Sequence, residues 1–178
     1  LNTGHIVSIE EKLIKEGKIV SRYIIKNDKK GSNSIITDGD DIIATKFIER
    51  IKTLTSIFGY KVFETLLKQE ELNNDDNLLY LNNNGINYAK GLITDEGFVI
   101  LKGSKIKPEI SEYISKSLIN YCNRERSSDD IENGIFINNH LCSSPSMAAV
   151  IILGRNSNGY NEWKNKDGKT LRELTERE

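Results

Sequence analysis

Two kinds of chemistry can be read from the side chains of this sequence: carboxylates suited to a metal ion, and clusters of cations, amides and aromatics suited to a nucleic acid. Glu10-Glu11-Lys12 and Glu162-Trp163-Lys164 both have the E-x-K form of one class of metal-dependent nuclease. Metal-assisted phosphodiester cleavage needs a carboxylate to hold Mg²⁺ and a separate group to prepare the nucleophile. Neither run has an aspartate suitably placed on an upstream strand, and an exposed helix glutamate beside a lysine is commonly just a solvated pair. A hydrolase triad is not expected either: there is no nucleophile elbow, and His5 and His140 have no acid partner evident in the sequence. His140 and Cys142 alternate as on one strand face, and Cys122 could join them around zinc, but a fourth ligand is missing. Two small core residues in a reduced protein is the better reading of the cysteines.

The cationic clusters say more. Lys102, Lys105 and Lys107 follow a strand-like run, with Gly103-Ser104 between them and no acid before Glu109. Backbone N–H groups in such a turn can cradle a phosphate. Ser144-Pro145-Ser146 opens an apolar helix whose unpaired N–H groups and hydroxyls offer a second anion seat. Arg155, Lys164, Lys166 and Lys169 surround Asn156, Asn158, Tyr160 and Trp163, residue types that read base edges or stack on bases. Structural roles compete with each of these. Ser144 can be only a cap, Asn158-Gly159 only a turn, and a lone tryptophan is more often core than platform. Polar density favours contact, because Arg155 to Asn158 carry more than a turn requires.

The elements that must position these groups follow from local rules. Ser144 caps a helix with Pro145 at its first position, Met147 to Leu153 are apolar all round and so buried, and Gly154 closes it. Asn158-Gly159 and Asp167-Gly168 read as tight turns, the second leading to a short helix through Leu171 and Leu174. Upstream, Leu78 to Leu81, Ile86 to Ile93 and Phe98 to Leu101 are strand-like and separated by Asn84-Gly85 and Asp95-Glu96-Gly97, which predicts an antiparallel meander. Pro108 is expected to start a helix burying Ile110, Ile114, Leu118 and Tyr121. Ile135 to Ile137, after Asn133-Gly134, reads as a short strand leading to the run that begins at Leu141. Near the start, Thr3 to Gly17 predicts a helix with Ile6, Ile9, Leu13 and Ile14 on one face, and Val20 to Ile25 a strand. Asn27 to Asp41 reads as a loop. A second helix is capped at Asp40 or Asp41, buries Ile43, Phe47, Ile51, Leu54 and Phe58, and stops at Gly59. Gln69 to Asn77 is the candidate linker, dividing residues 1–68 from 77–178. The expected fold is α+β: a small antiparallel sheet of hairpins packed with helices, preceded by a short helical segment.

Several of these runs together resemble a known family. Ser144 to Ala149 (Ser-Pro-Ser-Met-Ala-Ala), Leu153 to Lys164 (Leu-Gly-Arg-Asn-Ser-Asn-Gly-Tyr-Asn-Glu-Trp-Lys), Asp167 to Leu171 and Gly97 to Lys105 resemble the C-terminal domain of unknown function 4357, over roughly residues 77 to 175. It is similar to the restriction-enzyme adenine-methylase-associated domain, for which DNA recognition has been proposed, and typically follows GIY-YIG-type nuclease domains. The opening Leu1 to Ile6 and the run Ile9 to Ile14 resemble the helix bearing that nuclease's single metal-binding glutamate, which the match puts at Glu10. Tyr60 to Glu64 resembles the hand-over to the C-terminal module. The two tyrosine-bearing strands that name the nuclease family are expected upstream of Leu1, in a longer protein of which this is a piece.

Composition bounds the reading. A net charge of -1 excludes a general polyanion binder, so any nucleic-acid face must be a local patch. No apolar run approaches a membrane span, no signal peptide is evident, and a cytoplasmic protein with no membrane partner is expected. The expectation is a DNA-recognition module of a bacterial GIY-YIG-type endonuclease or a related restriction or mobile-element protein. Its partners would be DNA, modified or not, and an upstream nuclease domain. No cofactor is expected in this chain; Mg²⁺ would belong to the nuclease core, with Glu10 at most one ligand, so cleavage by this chain alone is not expected. DNA would be met by Lys102, Ser104, Lys105, Ser144, Ser146, Arg155, Asn156, Asn158, Tyr160, Trp163, Lys164 and Lys169. The alternative is a protein-interaction or structural module that positions the nuclease.

Overall fold

The computed structural model describes residues 3–20, 22–23, 25–26, 38–67, 75–83 and 85–176, with the side chains of 38–41 left aside. It divides into two compact units, Leu1–Leu66 and Leu67–Glu178. Most of the expected loop at Asn27 to Asp41 and of the linker at Gln69 to Asn77, and Asn84 of the first hairpin turn, lie outside the described residues.

In the first unit α1 (Thr3–Val20) packs on α2 (Asp38–Ile57). Their shared core is Ile9, Ala44 and Ile48, with Leu13 and Ile51 against it. The sequence placed the buried stripe of α2 one position away, and of Ile43, Phe47, Ile51, Leu54 and Phe58 only Ile51 joins this core; the other four are exposed. The helix is apolar on two adjacent faces, and the face carrying small Ala44, fully buried, is the one set against α1. Gly59 ends α2 in the left-handed conformation, at φ +80°. Three other expectations fail. α1 runs through Gly17 to Val20, and no strand forms among the described residues at Val20 to Ile25. Gly17 is no cap: a Cβ there would collide with the Ile25 side chain, so glycine makes room for it. α2 begins at Asp38, ahead of the expected cap.

The second unit is built on a five-stranded antiparallel sheet in the order β6-β3-β2-β1-β7, from β1 (Leu79–Asn83), β2 (Ile86–Thr94), β3 (Gly97–Ile100), β6 (His140–Cys142) and β7 (Trp163–Lys164). The expected meander is there. Gly85 adopts φ +79° in the first turn, and Thr94 pairs with Gly97 across Asp95-Glu96 in the second. β4 (Ile131–Glu132) and β5 (Ile135–Phe136) make a separate hairpin through Asn133 and Gly134, both at positive φ. The strand expected at Ile135 to Ile137 is therefore present over Ile135–Phe136, paired with β4, and it leads on to β6 and the Leu141 run.

One face of the sheet lies on α4 (Pro145–Leu153), and together they form the core with Leu79, Leu81, Phe98, Ile100, Ile151 and Trp163. Ser144 accepts the Met147 N–H, Pro145 takes the first position, and Gly154 closes the helix at φ +64°. Val150, Ile151 and Leu153 are all buried. The other end of α4 explains where the helix expected from Pro108 went. Lys107 N–H donates to the Ile152 carbonyl and Ser111 N–H to that of Gly154. Arg126 donates to the Ile151 carbonyl at 2.9 and 2.7 Å. This segment satisfies carbonyls that a helix end leaves orphaned and stays irregular. The helix α3 (Lys116–Arg126) starts only at its cap, Ser115. After α4 come a single turn, α5 (Gly159–Glu162), and α6 (Leu171–Thr175), the latter closed by a Thr170–Glu173 capping box.

Candidate nucleic-acid interface

The sheet face opposite α4 gathers the cations. In an antiparallel sheet, directly paired residues share a face. Tyr80 pairs with Lys90 on one side and with Lys164 on the other, so the three form a row across β2, β1 and β7. Lys90 Nζ lies 5.6 Å from the centre of the Tyr80 ring, over its face. Their neighbours Leu81, Ala89 and Trp163 point to the core. A bulge sets this register: Asn82 pairs with Asn87 and Leu81 with Ala89, leaving Tyr88 unmatched. Counting evenly from the turn would put Ala89 opposite Tyr80.

The bulge also opens a cleft. Beyond β3 the chain runs back along β2: Leu101 N–H donates to the Lys90 carbonyl and Lys105 N–H to that of Tyr88. Between them Gly103, at φ +86°, turns outward. The result is a cleft of about 300 Å³ whose lining includes Asn87, Tyr88, Lys90, Lys102 and Lys105. Lys90 therefore belongs both to the row and to the cleft. Among the described residues no carboxylate pairs with Lys90, Lys102, Lys105 or Lys164.

The details revise the sequence reading. The N–H groups of Lys102, Gly103, Ser104 and Lys105 donate to Asn139 Oδ1 and to the carbonyls of Phe136, Leu101 and Tyr88. None is left for a backbone phosphate cradle. Ser104 is buried, and its hydroxyl takes the Lys90 N–H and donates to the Lys90 carbonyl. It fastens the cleft and presents nothing to solvent. The second anion seat is closed too. Ser144 is spent on Met147, Ser146 accepts the Gly159 N–H, and the Trp163 indole donates to the Pro145 carbonyl at 2.9 Å. Trp163 is fully buried, its ring centre 4.5 Å from that of Phe98, so it is core and not a platform for bases.

The loop after α4 is more committed than its polarity suggested. Arg155 donates to the Glu162 carboxylate at 2.8 Å and to the Asn156 carbonyl. Asn158 caps α5 by accepting the Tyr160 N–H, so Asn158-Gly159 starts a helical turn rather than forming a tight hairpin turn. Asn156, Tyr160, Lys164 and Lys169 are exposed. Lys166 pairs with Asp76 at 2.7 Å, which holds the Asp76 carboxyl below and the lysine above their ordinary ranges. Lys90, Tyr80 and Asn87 were missed by sequence reasoning. Their signal was the polar positions of strands taken for hairpin scaffolding, and only the bulge brings them together.

The metal and acid–base groups are also placed. Glu10 is exposed on α1, and among the described residues no three His, Cys, Asp or Glu side chains are grouped to hold a metal ion. The ligand set that the resemblance would require around Glu10 is therefore not supplied by the described residues, and no chemistry is derived through it. Cys122 and Cys142 are buried free thiols, and burial pushes Cys142 up to about 12, which opposes the thiolate that zinc requires. His140, which had no acid partner evident in the sequence, has two. Its Nδ1 lies 3.1 Å from Asp130 Oδ2, and its Nε2 3.4 Å from Glu125 Oε2, close enough for attraction but longer than a good hydrogen bond. No helix among the described residues is long and apolar enough to cross a membrane.

The model of one family, described as a domain of unknown function (4357), matches residues 79–175, and the chain belongs to that family. No curated protein and no solved structure matches the chain.

Proposed function

We propose that this member of the domain of unknown function 4357 family is a DNA-recognition module, working within a GIY-YIG-type endonuclease or a related restriction or mobile-element protein. The observation that carries the reading is the lysine path. Lys164, Lys90, Lys102 and Lys105 come from β7, β2 and the turn after β3, and they form a continuous basic line beside Tyr80 in a chain of net charge -1. Collecting unpaired cations from separate segments onto one side costs repulsion, and a polyanion offsets it. The path supports phosphate contact first; base contact falls to Tyr80 in the row and Asn87 in the cleft. Catalysis and its Mg²⁺ would belong to the tethered nuclease domain, which would also raise the module's apparent affinity through effective concentration.

Fluorescence anisotropy with labelled single- and double-stranded oligonucleotides tests this. If about four phosphates are contacted, log affinity falls with log salt at a slope of roughly -3 to -4. A folded chain that binds neither form at low salt would refute it. One observation favours protein interaction as a second reading: Ile43, Phe47, Leu54 and Ile57 of α2, with Phe58 just past its end, leave an apolar stripe exposed.

A further inference from the structure

The cleft at the bulge has an uneven lining that says what it can hold. Its cations are Lys90, Lys102 and Lys105, and its remaining wall is made by Asn87, the Tyr88–Ala89 bend and Gly103. All four N–H groups of residues 102–105 are already donated inside the protein. The 102–105 turn therefore offers an anion no backbone donor, and from that side only the flexible ammonium groups can reach it. Lys90, Lys102 and Lys105 are all exposed, so the charge must sit at the rim. Away from the ammonium groups the wall offers the Asn87 amide, which both donates and accepts and so suits an uncharged polar edge such as that of a base. A volume of about 300 Å³ is at the small end of ligand pockets and suits one small molecule.

We infer that this cleft takes a single unstacked nucleotide, its base against Asn87 and the Tyr88 bend and its phosphate among Lys90, Lys102 and Lys105. The inference rests on the DNA-binding reading for the source of that nucleotide, a strand end or a base turned out of the stack. It adds a selectivity the lysine path alone would lack: strands offering an unpaired nucleotide beside the path bind better than continuous duplex. Gly103 suits the rim, because its left-handed turn has open space where a side chain would stand. The Ser104 hydroxyl, bonded both ways to the Lys90 backbone, ties the turn that carries Lys102 and Lys105 to β2.

The test uses the whole chain and three probes: deoxynucleoside 5′-monophosphates, the corresponding nucleosides, and inorganic phosphate. Amide NMR shifts of Asn87, Lys90, Gly103 and Lys105 report on the cleft, and displacement of a labelled oligonucleotide reports on the path. Monophosphates are expected to move those amides and displace the oligonucleotide, with nucleosides and phosphate each weaker by about tenfold, the loss of roughly one charged or polar contact. Asn87→Ala should weaken monophosphate binding by a similar factor while leaving the oligonucleotide salt slope unchanged. Lys102→Gln with Lys105→Gln should lower both affinity and slope. If oligonucleotides bind with the expected salt dependence but monophosphates do nothing, or inorganic phosphate does as well as they do, the nucleotide pocket is wrong and the DNA-binding reading stands. If monophosphates bind and no oligonucleotide does, the pocket stands and the DNA-binding reading falls.

Discussion

The Trp163 indole N–H donates to the Pro145 carbonyl at 2.9 Å, joining the last strand of the sheet to the first turn of the central helix. Both groups are buried, so the bond satisfies a donor that would otherwise be lost in the core. The helix start that the sequence offered as an anion seat is covered beside this bond by Gly159, where a Cβ would collide with the Ser146 backbone nitrogen. Trp163→Phe keeps most of the packing on Phe98 and removes the donor, and should cost about 1–3 kcal/mol. Trp163→Ala also removes the ring, and should cost roughly 3–5 kcal/mol. Urea denaturation measures both. Because this ring does not touch solvent, folded Trp163→Phe should bind oligonucleotides as the native chain does; a change in base discrimination would contradict the core assignment.

In the second unit, Gly91 and Gly159 are required by close approach and not by turn geometry. A Cβ on Gly91 would sit 2.5 and 2.7 Å from the Phe98 ring and 2.7 Å from the Val99 carbonyl oxygen. A Cβ on Gly159 would collide with the backbone of Pro145 and Ser146. Neither has positive φ, so strain is not the issue. Gly91→Ala and Gly159→Ala should each destabilise by about 1–3 kcal/mol through overpacking. Gly85→Ala is the contrast, because its Cβ meets nothing and only its φ of +79° resists substitution. Thermal melts of the three should show a smaller loss for Gly85→Ala, and equal losses would mean that the backbone yields at the two tight sites.

What could be read ahead of the structure depended on whether the deciding interaction was local. The α4 helix was legible from Ser144 to Gly154, because cap, first-position proline, apolar run and closing glycine are all local signals. Both hairpins of the meander were legible for the same reason. The missed helix start at Pro108 was decided by carbonyls of Ile152 and Gly154, more than forty residues later, that needed donors from Lys107 and Ser111. The buried face of α2 was decided by how closely a partner could approach Ala44, which a count of apolar residues does not register. In the candidate interface, lysines were visible as lysines, but whether their neighbouring N–H groups were free was not. The Tyr80–Lys90 pairing turned on one unmatched residue, Tyr88, for which the sequence carries no glycine or other marker.

Alkaline instability should be built into the second unit. Burial pushes the Cys142 thiol up to about 12 and raises Cys122 and the Tyr121 phenol as well. Once unfolded, these groups lose protons at their ordinary values, near 8.5 for cysteine and 10 for tyrosine. Above about pH 9 the unfolded chain therefore holds fewer protons than the folded one, and stability falls as pH rises. The full contribution is present below the unfolded values, and for Cys142 it declines through the window up to about 12. Each group alone gives a slope of at most about 1.4 kcal/mol per pH unit. Urea titrations between pH 7 and 10 should show the decline, and Cys142→Ala should make it shallower. A midpoint unchanged across that range would contradict the burial of all three.

The cations of this chain should not contribute equally to DNA binding, and their pairing predicts the order. Lys90, Lys102, Lys105 and Lys164 have no carboxylate partner among the described residues, so each can exchange water and counterions for a phosphate at little cost. Arg155 is held by Glu162 at 2.8 Å and Lys166 by Asp76 at 2.7 Å, so each must surrender a partner or arrive with its charge already matched. Exposed pairs of this kind are weak, so they lower the gain without abolishing it. Single Lys→Gln changes on the path should weaken binding to all sequences alike and make the salt slope about one unit shallower. Lys166→Gln should do much less, and Asp76→Asn, by releasing Lys166, should strengthen binding slightly at low salt. Lys169 is the informative intermediate: it is exposed and has no carboxylate partner among the described residues, but it lies beyond β7 and off the row. If Lys169→Gln matches Lys90→Gln in both affinity and slope, the DNA runs along the C-terminal loop and not across the sheet, and the row of Lys164, Tyr80 and Lys90 is not its seat.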